Sequence, residues 1–310
     1  MFTLLLVGAG LIALYVLLNW HLKQPICKSN AKLHGKTNRD WHWENNSNRS
    51  VQKRCEGYNA CRDKQRAEAV ISDIKKETGN NEVVFMELDL ASLQSVRSFD
   101  ETFLKSEFRL NILINNAGLV NGGKTKDGVG MIFGVNHLGH FLLPVQLLDR
   151  LKECGPSRVV TVASIAHEFG KVDFNCLSTH KDLAVGESDW ALFQKYSHSK
   201  LCNMLFTHEL AKRLEGTNVT CYSLHPGQRS EDRNSPVFRR MMLAPFISLF
   251  AVDAESGAQT TLYCALQEGI EPLSGCYFSC CAVQKVNANA KDDAVAKKLW
   301  EVSETLCGMS

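Results

Sequence analysis

Four short apolar runs, spaced by longer amphipathic stretches, constrain this chain more than any other feature. They lie at 82–90 (EVVFMELDL), 110–118 (LNILINNAG), 157–164 (SRVVTVAS) and 219–227 (VTCYSLHPG). SRVVTVAS is close to continuously apolar, as in a parallel strand covered on both faces. The stretches between have helical spacing. Ala67, Val70 or Ile71, and Ile74 share one helical face, ending at Gly79. Val96, Phe99 and Phe103 share another, with Ser92 placed to cap it. Further helices are expected around 133–148, 190–214 and 254–269, and a last strand at 274–280 (SGCYFSC). Strands alternating with helices of this length predict an α/β fold, a doubly wound parallel sheet binding its ligand at the carboxyl ends of the strands.

Polar and turn-forming residues collect at those strand ends. Tyr196 and Lys200 are four apart in KYSHSK, one helical turn from each other on a single face. An ammonium beside a phenol favours the phenolate, which suits proton exchange with an alcohol or carbonyl. Ser164 ends SRVVTVAS, either holding a substrate oxygen near Tyr196 or capping the next turn. Asn115, Ala117 and Gly118 belong to NNAG, which permits close backbone approach to a ligand or makes an ordinary turn. Asn136 falls mid-helix, where asparagine is unfavourable and a buried amide needs partners such as a water or a lysine. Asp89 can accept from an adenine amino group or cap the next helix. Pro226 and Gly227 of HPG can lie against a nicotinamide.

Taken together, ELDL, NNAG, VNHLGHFLL, VASIAH, YSHSK and HPG, over about 61–300, resemble the short-chain dehydrogenase/reductase family. The stretches ETGNNEVVFMELDLASLQSVRSF and TLYCALQEGIEPLSGCYF are most similar to its retinol-dehydrogenase-like branch. The resemblance implies a Rossmann-like sheet and hydride transfer at a nicotinamide. It makes Tyr196 the general acid/base, Lys200 its partner and a ribose ligand, Ser164 the group that orients the substrate oxygen, and Asn136 the holder of a relay water. Arg62, in ACRDK just past the second strand, implies NADP(H), since a guanidinium can pair with a ribose 2′-phosphate. The implied substrate is a lipophilic alcohol or carbonyl, retinoid-like or steroid-like.

The family's first strand and glycine loop are missing or mistranslated. Between HGKT (34–37) and ACRDK (60–64) only Gly57 occurs, inside an aberrant segment over 38–60. Tryptophan has a single codon, TGG. Read one base later, Trp41 with His42 gives glycine, and so does Trp43 with Glu44, whatever codons the neighbours use. The forced product is G-[I/T]-G-[K/R], the kind of sequence the loop requires. Our hypothesis is a frame error across this segment, with an exon boundary misplaced at the first strand. Sequencing the transcript tests it, and an in-frame read matching this protein would sink it. Without the loop, the alternative to an enzyme is an inactive relative that only binds.

Residues 2–18 (FTLLLVGAGLIALYVLL) carry no charge, and Trp20 follows them, then Lys23, Lys28 and Lys32. A span needs roughly 20 apolar residues, with about 17 the lower limit. We expect a membrane anchor over 1–22 and one domain over 30–305 on the cytosolic side, the endoplasmic reticulum being favoured over the mitochondrion. A net charge of +2, with no basic block, argues against nucleic acid. The 12 cysteines include no C-x-x-C pair, which argues against zinc, and no metal is expected. A homodimer through the Tyr196 helix is a further expectation.

Overall fold

A computed structural model describes residues 38–39, 56–226, 228–229, 251–252 and 254–309. Its strands are β1 (Asn38–Arg39), β2 (Gly57–Cys61), β3 (Val83–Glu87), β4 (Ile112–Asn115), β5 (Ser157–Val162), β6 (Val219–His225), β7 (Gln228–Arg229), β8 (Ala251–Val252), β9 (Tyr277–Ser279) and β10 (Ala282–Val283). Among the described residues, eight form one sheet in the order β3-β2-β1-β4-β5-β6-β9-β10. All its neighbours run parallel except the β9–β10 hairpin. The chain builds outward from β1 to β3, then crosses back to β4 on the other side. That reversal opens a crevice at the carboxyl ends of β1 and β4.

The sheet is buried on both faces, so alternate residues serve different cores. Ile112, Ile114, Val160, Val162, Tyr222 and Leu224 meet α7 (Ala254–Leu266). Their neighbours Leu113, Val159 and Cys221 face the larger core. That core is built from α2 (Leu93–Ser106), α3 over 131–146, α6 (Asp189–Arg213) and α8 (Asp293–Leu306). On the outer strands, α1 (Lys64–Thr78) packs Ile71 and Ile74 against Val83. Two short helices, α4 (Leu148–Glu153) and α5 (Phe174–His180), complete the connections. Side chains satisfy the free amides at the helix starts: Asp63, Ser92, Ser188 and Asp292 cap α1, α2, α6 and α8. Gly79, at φ 69°, ends α1 where a side chain would be strained.

Three expectations change. The first-strand position is held by Asn38 and Arg39, which pair with Gly57 and Tyr58 on one side and with Ile112 and Leu113 on the other. Sheet ladders join main-chain groups, so two polar residues can occupy a slot that the side-chain pattern left unmarked. Residues 57–60, counted in the aberrant segment, begin β2, and Tyr58 is buried edge-on against Phe103 at 5.6 Å. Finally, α8 was not foreseen. Its Ala296, Leu299, Trp300 and Ser303 have helical spacing and are all buried. Trp300 packs on Phe141 and Phe206 and lies 4.1 Å below the Arg213 guanidinium. No helix among the described residues is long and apolar enough to cross a membrane, and the anchor expected over 1–22 lies outside them.

Candidate active site

Tyr196 and Lys200 both project from α6, which neighbouring elements bury around most of its circumference. The Lys200 side chain is buried, and its Nζ donates to the Val162 carbonyl at 3.0 Å. Val162 ends β5, so this bond fastens α6 to a central strand at its carboxyl end. The same ammonium stands 5.5 Å from the centre of the Tyr196 ring. Tyr196 itself is half-buried.

Ser164 follows β5 and opens a 3₁₀ turn over Ile165–Phe169. Its Oγ accepts from the Ala166 amide at 3.2 Å, so the capping role holds. Accepting that bond leaves the hydroxyl hydrogen to donate. The carbonyl of Ser164 accepts from His167 Nδ1 at 2.7 Å, which fixes the histidine tautomer with its proton on Nδ1. The turn is pressed onto α6 at Gly170, where a Cβ would lie 2.7 Å from Leu201 Cβ and the Ser197 carbonyl. The Lys171 amide donates to His198 Nδ1 at 3.0 Å, two residues past Tyr196. Ser164 and Tyr196 therefore belong to one packed unit.

Asn136 is fully buried in a π-helical turn over Gly134–Leu138, inside α3. A π-turn of this kind frees main-chain geometry inside a helix and is frequent at functional sites. The side-chain partners of Asn136 are the amide and carbonyl of Leu119, at 2.9 and 3.0 Å, and Ser199 Oγ at 3.1 Å. It thus clamps the loop after β4 to α6. Gly118 lies beside it, where a Cβ would come 3.4 Å from Lys200 Nζ and 3.6 Å from Asn136 Oδ1. Asn115 ends β4 and donates to the His140 carbonyl at 2.8 Å. Ala117 packs against the main core.

The remaining expected residues lie along the same edge. Asp89 follows β3. Its Oδ1 accepts from the Ala91 amide at 3.0 Å, and its Oδ2 pairs with Lys126 at 3.2 Å, so it serves the local turn. Arg62 is exposed directly after β2. Pro226 is half-buried after β6, and Gly227 lies outside the described residues. Burial drives His225, at the end of β6, down to about 4, and the charges of His167 and Lys200 add to the effect. His140, also near Lys200, is driven to about 3 mainly by burial. Both are therefore neutral near pH 7. Sequence reasoning missed Ser199, Leu119 and His167. Ser199 and His167 stand inside the recognised motifs, whereas Leu119 contributes only its main chain, which leaves no sequence signal.

These residues fit a dinucleotide at two of three points. Gly118 brings open backbone beside the Lys200 ammonium, where a Cβ would sit in ordinary contact at 3.4 Å. Arg62 is exposed past β2, where a guanidinium can meet a phosphate. The point expected to hold the pyrophosphate falls within 40–55, outside the described residues.

A family model for short chain dehydrogenase matches residues 48–182. Dehydrogenase/reductase SDR family member 13 from Homo sapiens is 45% identical over 320 residues, covering 98% of this chain and 82% of that protein. Retinol dehydrogenase 12 from Homo sapiens is 48% identical over 256 residues, covering 81% and 78%. Among solved structures, an uncharacterised protein from Mycobacterium Paratuberculosis superposes with a TM-score of 0.68 at 28% identity, over 91% of this chain and 96% of that one. A short chain dehydrogenase from Burkholderia cenocepacia J2315 in complex with NADP shares the fold at TM-score 0.59 and 19% identity, over 80% and 96%.

Proposed function

This chain belongs to the short-chain dehydrogenase/reductase family of oxidoreductases, and from that membership we propose that it interconverts an alcohol and a carbonyl on a lipophilic, retinoid-like or steroid-like molecule with NADP(H). The observation that carries this reading is the joint placement of Lys200, Tyr196 and Gly118 at the carboxyl end of the sheet. Bound NADP(H) supplies or receives the hydride. Tyr196 gives its phenolic proton to the carbonyl oxygen as an alcohol forms, and takes it back in the reverse direction. Lys200 keeps a positive charge where the phenol releases that proton. Ser164 orients the substrate oxygen with the hydrogen left over from its bond to Ala166. Asn136 holds the Leu119 loop and so the wall of the crevice. Arg62, Asp89, Asn115, Ala117, Gly118, Pro226 and Gly227 border the cofactor, and Arg62 favours the 2′-phosphate.

The relatives named retinol dehydrogenase support a lipophilic substrate, and residues 2–18 support delivery of it from a membrane. We place the domain on the cytosolic face of the endoplasmic reticulum on the same grounds. A homodimer through α6 is part of the same proposal, and the mass of the protein in detergent tests it.

The test compares the full chain, in detergent, with a version carrying the frame-repaired segment and a complete first strand. NADPH binding by calorimetry and reduction of retinal are measured on both. Binding and turnover by the repaired chain are expected. Loss of both in the repaired chain would overturn the oxidoreductase reading. Binding by the unrepaired chain at comparable affinity would instead overturn the frame hypothesis.

A further inference from the structure

The residue just before Tyr196 on α6 is Lys195, and it is buried. Its side chain is 4% exposed and pairs with Asp182 Oδ2 at 2.7 Å and with Glu187 Oε1 at 2.9 Å. The Asp182 carboxylate is 12% exposed and that of Glu187 56%, so the first pair dominates. Burial works against the Lys195 charge, but the two carboxylates outweigh it and raise its pKa. Cys176 faces the same cluster, and burial, Asp173 and Asp182 push its thiol up, so it adds no charge.

Both acids press on glycines of the loop that follows β4. A Cβ on Gly130 would overlap the Asp182 carboxyl, and one on Gly122 would overlap that of Glu187. The Gly130 amide also donates to the Lys181 carbonyl at 2.8 Å, and Asp182 Oδ1 accepts from the Leu183 amide at 2.8 Å. The loop begins at Leu119, which Asn136 holds by both main-chain groups. A continuous set of contacts thus runs from α6, through Lys195 and its acids, into the loop at Gly122, where a Cβ would also lie 3.5 Å from Leu192 Cδ2, one helical turn before Tyr196.

We infer that Lys195 is a positioning residue that locks the 181–187 segment and the 119–130 loop into the substrate-side wall facing Tyr196. The inference rests on the proposed oxidoreductase reading for its kinetic meaning. Without Lys195 the two carboxylates would be packed with no cation, and the segments carrying them would move apart. The wall would then fit a bulky substrate poorly, while the cofactor edge at Asn115 to Gly118 would stay in place.

The test uses Lys195→Met, Lys195→Arg and the neutral triple Lys195→Met/Asp182→Asn/Glu187→Gln, each in the full-length frame-repaired chain, which is the parent for every comparison. The probes are all-trans-retinal and NADPH. In Lys195→Met the KM for retinal is expected to rise roughly tenfold, with NADPH affinity within about twofold of the parent. Arginine, which can meet two carboxylates, should restore KM, and so should the neutral triple, which leaves no uncompensated charge. Hydrogen exchange over 119–130 is read in parallel, with faster exchange expected in Lys195→Met alone. This arm stands even if the chain reduces no carbonyl, so failure of the two readings can be told apart. Parental KM and exchange in Lys195→Met would overturn the inference, as would a defect that persists equally in the arginine and neutral variants. If Lys195→Met fails to fold, the other two variants carry the comparison.

Discussion

At the scale of single residues, the proposed chemistry rests on one phenol and one buried ammonium. Lys200 is fixed by the Val162 carbonyl, so its charge cannot swing away from Tyr196. In the frame-repaired chain, Tyr196→Phe should lower turnover by about 10²–10⁴-fold while leaving NADPH affinity near the parental value, since only proton transfer is removed. Steady-state rates with a parallel binding titration check this. Arg62 acts at the other end of the cofactor. Arg62→Ala should weaken NADPH roughly 10- to 100-fold and leave NADH almost unchanged, because only NADPH carries the 2′-phosphate. Equal losses for both cofactors would remove Arg62 from that role. The Tyr196–Lys200 spacing was legible in the sequence, and the family resemblance marked Ser164 and Arg62. The partners of Asn136 were not, because they are the main chain of Leu119 and a serine on another helix.

At the scale of elements, α8 decides how α6 is held. Trp300 lies between Phe141 of α3 and Phe206 of α6, under the Arg213 guanidinium. Asp293 bridges His208 at 2.7 Å and Lys212 at 2.9 Å. These two pairs are solvent-exposed and contribute little, so the buried indole carries most of the docking. Trp300→Ala should cost about 3–5 kcal/mol by denaturant unfolding, whereas Asp293→Ala should leave the midpoint nearly unchanged. A loss at Asp293 as large as that at Trp300 would reverse this ranking. The periodicity of Ala296, Leu299, Trp300 and Ser303 was present in the sequence, but what α8 packs against was not. β1 illustrates the opposite limit. Two polar residues pair on both sides through their main chains, and no side-chain pattern announces such a strand.

At the scale of the whole molecule, buried histidines tie stability to pH. Burial lowers His137 to about 4, opposed by Asn203, and lowers His140 to about 3, with Lys200 adding to the burial effect. In the unfolded chain both take up protons near 6.5. Between that value and about 4 the unfolded state therefore binds more protons than the folded state, and stability falls as pH falls. Their contribution is complete above about pH 6.5. By pH 4 His137 alone should account for a loss of about 3 kcal/mol. Urea midpoints measured from pH 7 to pH 4 check this, and His137→Asn should flatten the profile. A pH-independent midpoint across that window would mean that these rings are not buried in the neutral form.

The sequence by itself determined the alternation of strands and helices, the strand ends that carry polar residues, and the Tyr196–Lys200 pair. All of these follow from local periodicity and from the fixed rise of a helix. It also showed that the segment over 38–60 lacks a glycine loop. Only the tertiary structure decided which residues hold the site in place. It bonded Lys200 to β5 and Asn136 to the Leu119 loop, set Lys195 between two acids, and laid α8 along α6. Those contacts join residues far apart in the chain, several of them through main-chain atoms common to every residue type. The sequence carries no local signal for such contacts, and they form only once the sheet has set the distances between its helices.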